Sequence, residues 1–88
     1  TGINTAMSGK TEVDLRGMTI GEAELEVDKF LDESVLSGLS EVSLIHGKGT
    51  GALRAGIHEY LRHHPHVRKY RLGRFGEGDI GVAIVELK

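Results

Sequence analysis

The chain predicts an α/β fold of the α+β kind, a two-layer sandwich with two helices on one face of a mixed four-stranded sheet. Two observations carry that expectation. Apolar runs with strand character recur at "TEVDLRG", "EVSLIHG", "VRKYRLGRF" and "IGVAIVEL", while the stretches between the first three repeat apolar residues at helical spacing. The resulting order, β-α-β-α-β-β, joined by right-handed crossovers, puts both helices on the same side of the sheet.

Each element follows from local chemistry. Residues 1–10 are small, polar and without period, and read as a linker or leftover segment, disordered until something docks on it. Val13 and Leu15 alternate around Asp14, and Gly17 closes this short strand at a polar pair, Asp14 and Arg16. Thr19 with Glu22 three residues on forms a capping-box pattern. Ile20, Ala23, Val27, Phe30, Leu31 and Val35 then make an apolar stripe that runs to Gly38. Val42, Leu44 and Ile45 form a more continuous strand, expected to be central. "GKGTG" turns the chain into a second helix with the stripe Leu53, Ile57, Tyr60 and Leu61, stopped by His64-Pro65 because the residue before proline leaves the α region. The last two runs, separated by Gly76, Glu77, Gly78 and Asp79, read as a hairpin.

At 88 residues, 11–88 is one domain with a single core. No cysteine is present, so there is no disulfide framework or thiolate metal site, and the cytoplasm is the expected compartment. No apolar run approaches the ~20 residues of a membrane span, and no membrane partner is expected. The net charge of −2 argues against bulk attraction to nucleic acid, but it hides a polarity. Residues 11–45 hold nine acids against two bases, and residues 46–74 hold seven bases against Glu59 alone. Such a division suits a one-sided basic surface facing a phosphate backbone, or acids and bases that complement each other on adjacent elements.

The loop between the second strand and second helix, "HGKGTGALR", falls at the carboxyl edge of the sheet, where ligands of βαβ units usually bind. Gly47, Gly49 and Gly51 let backbone approach an anion closely, and the helix start, Lys48, Thr50 and Arg54 add donors and charge. The stretch reads as a phosphate cradle, the alternative being a tight structural turn. It is not a Walker A sequence and no ATP site is expected. Neighbouring strands would bring Asp14 and Arg16 to His46 and Lys48, a set able to work on a phosphodiester. Asp14 would orient or deprotonate the attacking group or hold Mg²⁺ or Mn²⁺, His46 would move a proton, and Arg16, Lys48 and the loop amides would neutralise phosphoryl oxygens. A plain surface ion pair is the alternative for Asp14 and Arg16. His63, His64 and His66 read as a solvated turn, and His58 as a surface residue. Arg68, Lys69, Arg71 and Arg74 with Tyr70 and Phe75 would track a nucleic-acid backbone or guard an edge strand.

The segments Val13-Asp14-Leu15-Arg16-Gly17, His46-Gly47-Lys48-Gly49-Thr50-Gly51-Ala52-Leu53-Arg54 and Gly81-Val82-Ala83-Ile84-Val85-Glu86-Leu87 together resemble the Smr (small MutS-related) domain, most of all the branch at the C-terminus of bacterial MutS2 proteins. The resemblance covers residues 12–88 and implies a fold like the C-terminal domain of translation initiation factor three. It also implies nucleic-acid binding and endonuclease or nicking activity on DNA, often branched, or on RNA. The family's L-D-L-H/R-G motif falls on residues 13–17 with Val13 leading, and its H/T-G-x-G motif on His46, Gly47 and Gly49. Ala83 stands where many members have threonine. By the same resemblance the chain would be the tail of a longer protein with an upstream ATPase core, dimeric there, tied to recombination suppression or to stalled ribosomes. The readings kept open are an endonuclease domain built on Asp14, Arg16 and His46, a module that grips DNA, ribosomal RNA or the ribosome without cutting, and a protein-interaction cap.

Overall fold

The computed structural model describes residues 12–49, 51–74, 76 and 79–88, so the segment 1–10, Thr11, Thr50, Phe75, Glu77 and Gly78 lie outside the described residues. Its elements are β1 (Glu12–Asp14), α1 (Ile20–Leu36), β2 (Glu41–Ile45), α2 (Ala52–Arg62), β3 (Val67–Leu72), a 3₁₀ turn (Asp79–Gly81) and β4 (Val82–Leu87). The sheet order is β1-β2-β4-β3. β1 and β2 run parallel, and β4 is antiparallel to both β2 and β3.

One face of this sheet carries the core. Val13, Leu15, Val42, Leu44, Val67, Ala83, Val85 and Leu87 cluster with Ala23, Val27, Phe30 and Leu31 of α1 and Ile57 and Leu61 of α2. Alternate strand residues therefore point at one helical layer, as period-two patterning requires. β2 shows that alternation, with Val42 and Leu44 buried, whereas β4 is buried at nearly every position because it lies between two other strands.

The predicted caps are present. The Thr19 hydroxyl accepts from the Glu22 N–H (3.2 Å), and a Glu22 carboxylate oxygen accepts from the Thr19 N–H (2.9 Å). After Leu36 the Gly38 and Leu39 N–H groups donate back to the Val35 and Ser34 carbonyls, closing the helix end. α2 stops at Arg62, with His63 as its cap, just before Pro65.

The histidine turn corrects an expectation. His64 is not solvated but 7% exposed. Its Nδ1 accepts from the His66 backbone N–H (3.1 Å), so Nε2 carries the proton and donates to Asp28 Oδ1 (2.8 Å). The parallel course of α1 and α2 makes this bond, since Asp28, one turn beyond Glu24, lies on the side of α1 beside the end of α2. His63 does lie in solvent, where it meets Glu59, and His66 reaches toward Asp32 at 3.4 Å.

Candidate nucleic-acid interface

The register Asp14↔Ile45 sets the end of β1 beside the residue that precedes His46. Leu15 plugs the core and donates its N–H to the Ile45 carbonyl (2.7 Å), so Asp14 and Arg16 on either side of it face out. Their side chains form a forked pair, Arg16 Nε to Asp14 Oδ1 at 2.9 Å and Nη2 to Oδ2 at 2.7 Å, and the Arg16 N–H adds a third bond to Oδ1 at 3.0 Å. Both side chains are at least half exposed.

The stem of Arg16 then lies across Gly47. A Cβ at Gly47 would stand 3.2 Å from Arg16 Cγ, and the residue's φ of +83° is one that L side chains rarely adopt. The turn thus favours glycine, and a side chain there would also push the Arg16 stem aside by a few tenths of an ångström. The N–H groups of His46 and Gly47 both donate to the Gly81 carbonyl, at 3.0 and 2.9 Å, which ties the loop to the start of β4. The Gly47 amide is therefore not available to a ligand. Among the described residues, the Lys48 and Gly49 amides have no such partner.

α2 starts at Gly51, in the left-handed region at φ +88° and without a side-chain cap. The positive end of an 11-residue helix faces the loop. Arg54 folds back over this start, its Nη2 3.2 Å from where a Gly51 Cβ would sit.

The family is decided by comparison of this chain with known proteins. The Smr domain family model matches residues 13–88. The chain belongs to the Smr domain family. Among its relatives, Endonuclease MutS2 of Ruminiclostridium cellulolyticum is 55% identical over 87 residues, which are 99% of this chain and 11% of the relative. Endonuclease MutS2 of Clostridium novyi is 60% identical over 78 residues, 89% of this chain and 10% of the relative. This chain therefore spans about a tenth of the length of these curated relatives. The crystal structure of the Smr domain of Thermus thermophilus MutS2 superimposes with a TM-score of 0.85 at 52% identity, over 88% of this chain and 96% of that one. YdaL, a stand-alone small MutS-related protein from Escherichia coli, shares the fold, with a TM-score of 0.81 at 24% identity over 88% of this chain and 63% of that one.

Within this Smr domain the electrostatics sort the candidates. Hydrogen bonds from the Arg16 side chain and backbone hold the Asp14 carboxyl down to about 2, and the same carboxylate raises the Arg16 guanidinium. His46 is 5% exposed. Its Nδ1 stands 3.0 Å from the Gly47 carbonyl oxygen, which can only accept, so Nδ1 carries the proton and Nε2 is left buried without a hydrogen-bond partner. Burial is the main cause lowering its pKa, with Arg54 adding to it against the Gly47 carbonyl.

His58 is not the surface residue expected. It lies half-buried between His46 and Tyr70, with its Nε2 likewise buried and unpartnered. Burial, then His46, then Arg54 lower its pKa. It flanks the apolar stripe of α2, a position where sequence spacing does not distinguish burial from exposure. Tyr70 likewise turns beneath α2 instead of offering a stacking face. Arg71 lies two strands from β2 on the open face of the sheet, donating to the Leu72 carbonyl at 3.1 Å. Lys69 approaches Glu86 at 3.6 Å. Arg74 is exposed just beyond β3, and the Gly73 N–H donates to the Val82 carbonyl, so Arg74 belongs to the loop's edge of the sheet. The structure thus brings Asp14, Arg16, His46, Gly47, Lys48, Gly49, Gly51, Arg54 and Arg74 to one edge, and Thr50 lies outside the described residues. No helix among the described residues is long and apolar enough to cross a membrane.

Proposed function

We propose that the domain grips the sugar-phosphate backbone of nucleic acid at this edge and cleaves it as an endonuclease. The observation that supports the reading is the convergence of Arg16, Lys48 and Arg54 on a glycine loop that opens into an uncapped helix. A phosphate seated there meets the Lys48 and Gly49 amides, the helix start and three cations, which would also stabilise the charge that develops on a pentacovalent phosphorus. Asp14, with its carboxyl at about 2, is a poor proton acceptor at neutral pH, because efficient acid–base groups titrate near the working pH. In this reading it holds the Arg16 fork in place. His46 shapes the loop from below, and a proton-transfer role would require its ring to turn outward.

A resident Mg²⁺ or Mn²⁺ does not fit the residues described. Both Asp14 oxygens are engaged by Arg16, and the described residues hold no group of three or more His, Cys, Asp or Glu side chains that could share an ion. Those same bonds, with the burial of His46, favour a second reading, a module that grips DNA, ribosomal RNA or the ribosome without cutting. We further propose that the domain acts in the cytoplasm as part of a longer MutS2-like protein; an upstream ATPase core, dimeric there, and a part in recombination suppression or the rescue of stalled ribosomes are what the Smr resemblance implies for that longer protein.

The deciding experiment compares wild type and Asp14→Ala on supercoiled plasmid, branched DNA and structured RNA, with manganese, magnesium or chelator, following binding in parallel. The endonuclease reading expects cleavage to fall by about 100-fold or more, because Arg16 loses the orientation that Asp14 gives it, while affinity changes only a few-fold, since the Arg16 charge stays within reach of phosphate and a repelling carboxylate is gone. Binding without cleavage by either protein leaves the gripping module.

A further inference from the structure

Three rings from three elements form a row beneath the loop. Tyr70 of β3 meets His58 of α2 with ring centroids 5.3 Å apart at 67°, and His58 meets His46 at 5.6 Å and 73°. Both contacts are edge-to-face, the arrangement in which aromatic rings attract and restrict each other's rotation. The row ends on a bond to the loop itself, from His46 Nδ1–H to the Gly47 carbonyl (3.0 Å). Gly47 in turn supports the stem of Arg16.

We infer that His58 is a positioning residue for the phosphate-binding loop: wedged against Tyr70, it holds the His46 ring in the orientation that bonds Gly47 and so fixes the loop beneath Arg16. The two buried Nε2 atoms without partners bear on this. An imidazole free to turn would present that nitrogen to water, because a buried polar atom left unpaired is costly. The His46 ring stays inward because His58 fills the space behind it. Among the described residues, the charged or titratable groups against the pair are Arg54 from α2 and Tyr70 from β3. None is an acid that would hold either ring by charge.

The test reads His46 directly in the isolated domain, by nitrogen NMR of its imidazole tautomer and by its titration, with no nucleic acid present. In wild type the proton sits on Nδ1 and the ring titrates below its ordinary 6.5. In His58→Ala, water reaches the ring, the Nδ1–H tautomer loses its dominance and the titration moves up toward 6.5. His58→Gln, which fills more of the space without a ring, does the same and guards against a variant that merely unfolds. His58→Phe keeps both ring contacts and the wild-type His46 signature.

The second readout rests on the proposed phosphate-binding reading. Affinity for a short single-stranded oligonucleotide falls by about tenfold in His58→Ala, as small misplacements of a site can cause, and stays within about twofold in His58→Phe. A His46 tautomer and titration unchanged in folded His58→Ala or His58→Gln overturn the inference, as does a His58→Phe that loses as much affinity as His58→Ala. A wild-type domain that binds no oligonucleotide overturns the proposed function instead, and the His46 signature still decides the role of His58.

Discussion

His46 and His58 show how a residue's place in the fold changes what it contributes. Both imidazoles are held below their ordinary 6.5, chiefly by burial, so the folded rings stay neutral at a pH where the unfolded chain already binds protons. The unfolded state therefore carries more protons in the window from 6.5 down to the folded values, and stability must fall as pH drops through it. The stabilisation is fully present above 6.5. Thermal unfolding at pH 5.5 should come several degrees below that at pH 7.5. His58→Phe, which removes one of the two titrations, should narrow the gap, and an equal gap in both proteins would refute the assignment. Asp14 cannot mimic this effect, because its depressed carboxyl matters only below its ordinary 3.8. At this scale the sequence was partly legible. Arg16 and His46 stand next to glycines that mark turns, and Asp14 lies one alternation before Arg16, which sequence spacing reveals. The burial of His58 and the bond of His64 to Asp28, 36 residues away, depend on how α1 and α2 lie together.

The two helices run side by side in the same direction, and at Gly56 α2 packs closely against Ile20 of α1. A Cβ there would overlap Ile20 Cδ1 and lie 2.7 Å from Ile20 Cγ1. Glycine inside a helix costs about 1 kcal/mol relative to alanine, so its use here trades helix propensity for proximity. Gly56→Ala should therefore bring little net stability in wild type, the propensity gain being offset by displacement of the β-branched Ile20 side chain. In an Ile20→Ala background the clash is gone, and the same substitution should stabilise by about 1 kcal/mol. The coupling between the two sites, read by urea unfolding of the four proteins, should reach about 1 kcal/mol. Additivity would mean the helices are held apart by something other than Ile20. The elements themselves were legible because each is punctuated locally, by the Thr19 and Glu22 capping box, by Gly38 and by Pro65. The placement of β4 between β2 and β3 was not, since strand order depends on long-range pairing that alternation does not encode.

Across the whole molecule the charge division seen along the chain becomes a division in space, though a less complete one than the count suggests. Exposed Glu22, Asp28, Asp32 and Glu33 line the outer helical layer on α1. Of the bases, Arg62 is paired with Glu59 at 3.1 Å at the far end of α2, and Lys69 lies near Glu86. The loop edge carries Arg16, Lys48, Arg54 and Arg74, with Arg16 partly neutralised by Asp14. On the proposed reading these side chains would make about three to four phosphate contacts, each releasing counterions from the nucleic acid. The affinity for single strands should then fall with salt at a log–log slope of about −2 to −3, since each contact contributes about −0.7. Arg54→Ala should make that slope shallower by about 0.7 while weakening binding to all sequences alike. Arg62→Ala, whose partner is Glu59 and not phosphate, should leave the slope unchanged. Equilibrium titrations between low and physiological salt measure all three proteins. A slope near zero in wild type would remove the phosphate cradle as the reason for the glycine loop and favour a domain that docks on protein. A wild-type slope of the expected size that Arg62→Ala reduces as much as Arg54→Ala would move the interface from the loop edge to the far end of α2.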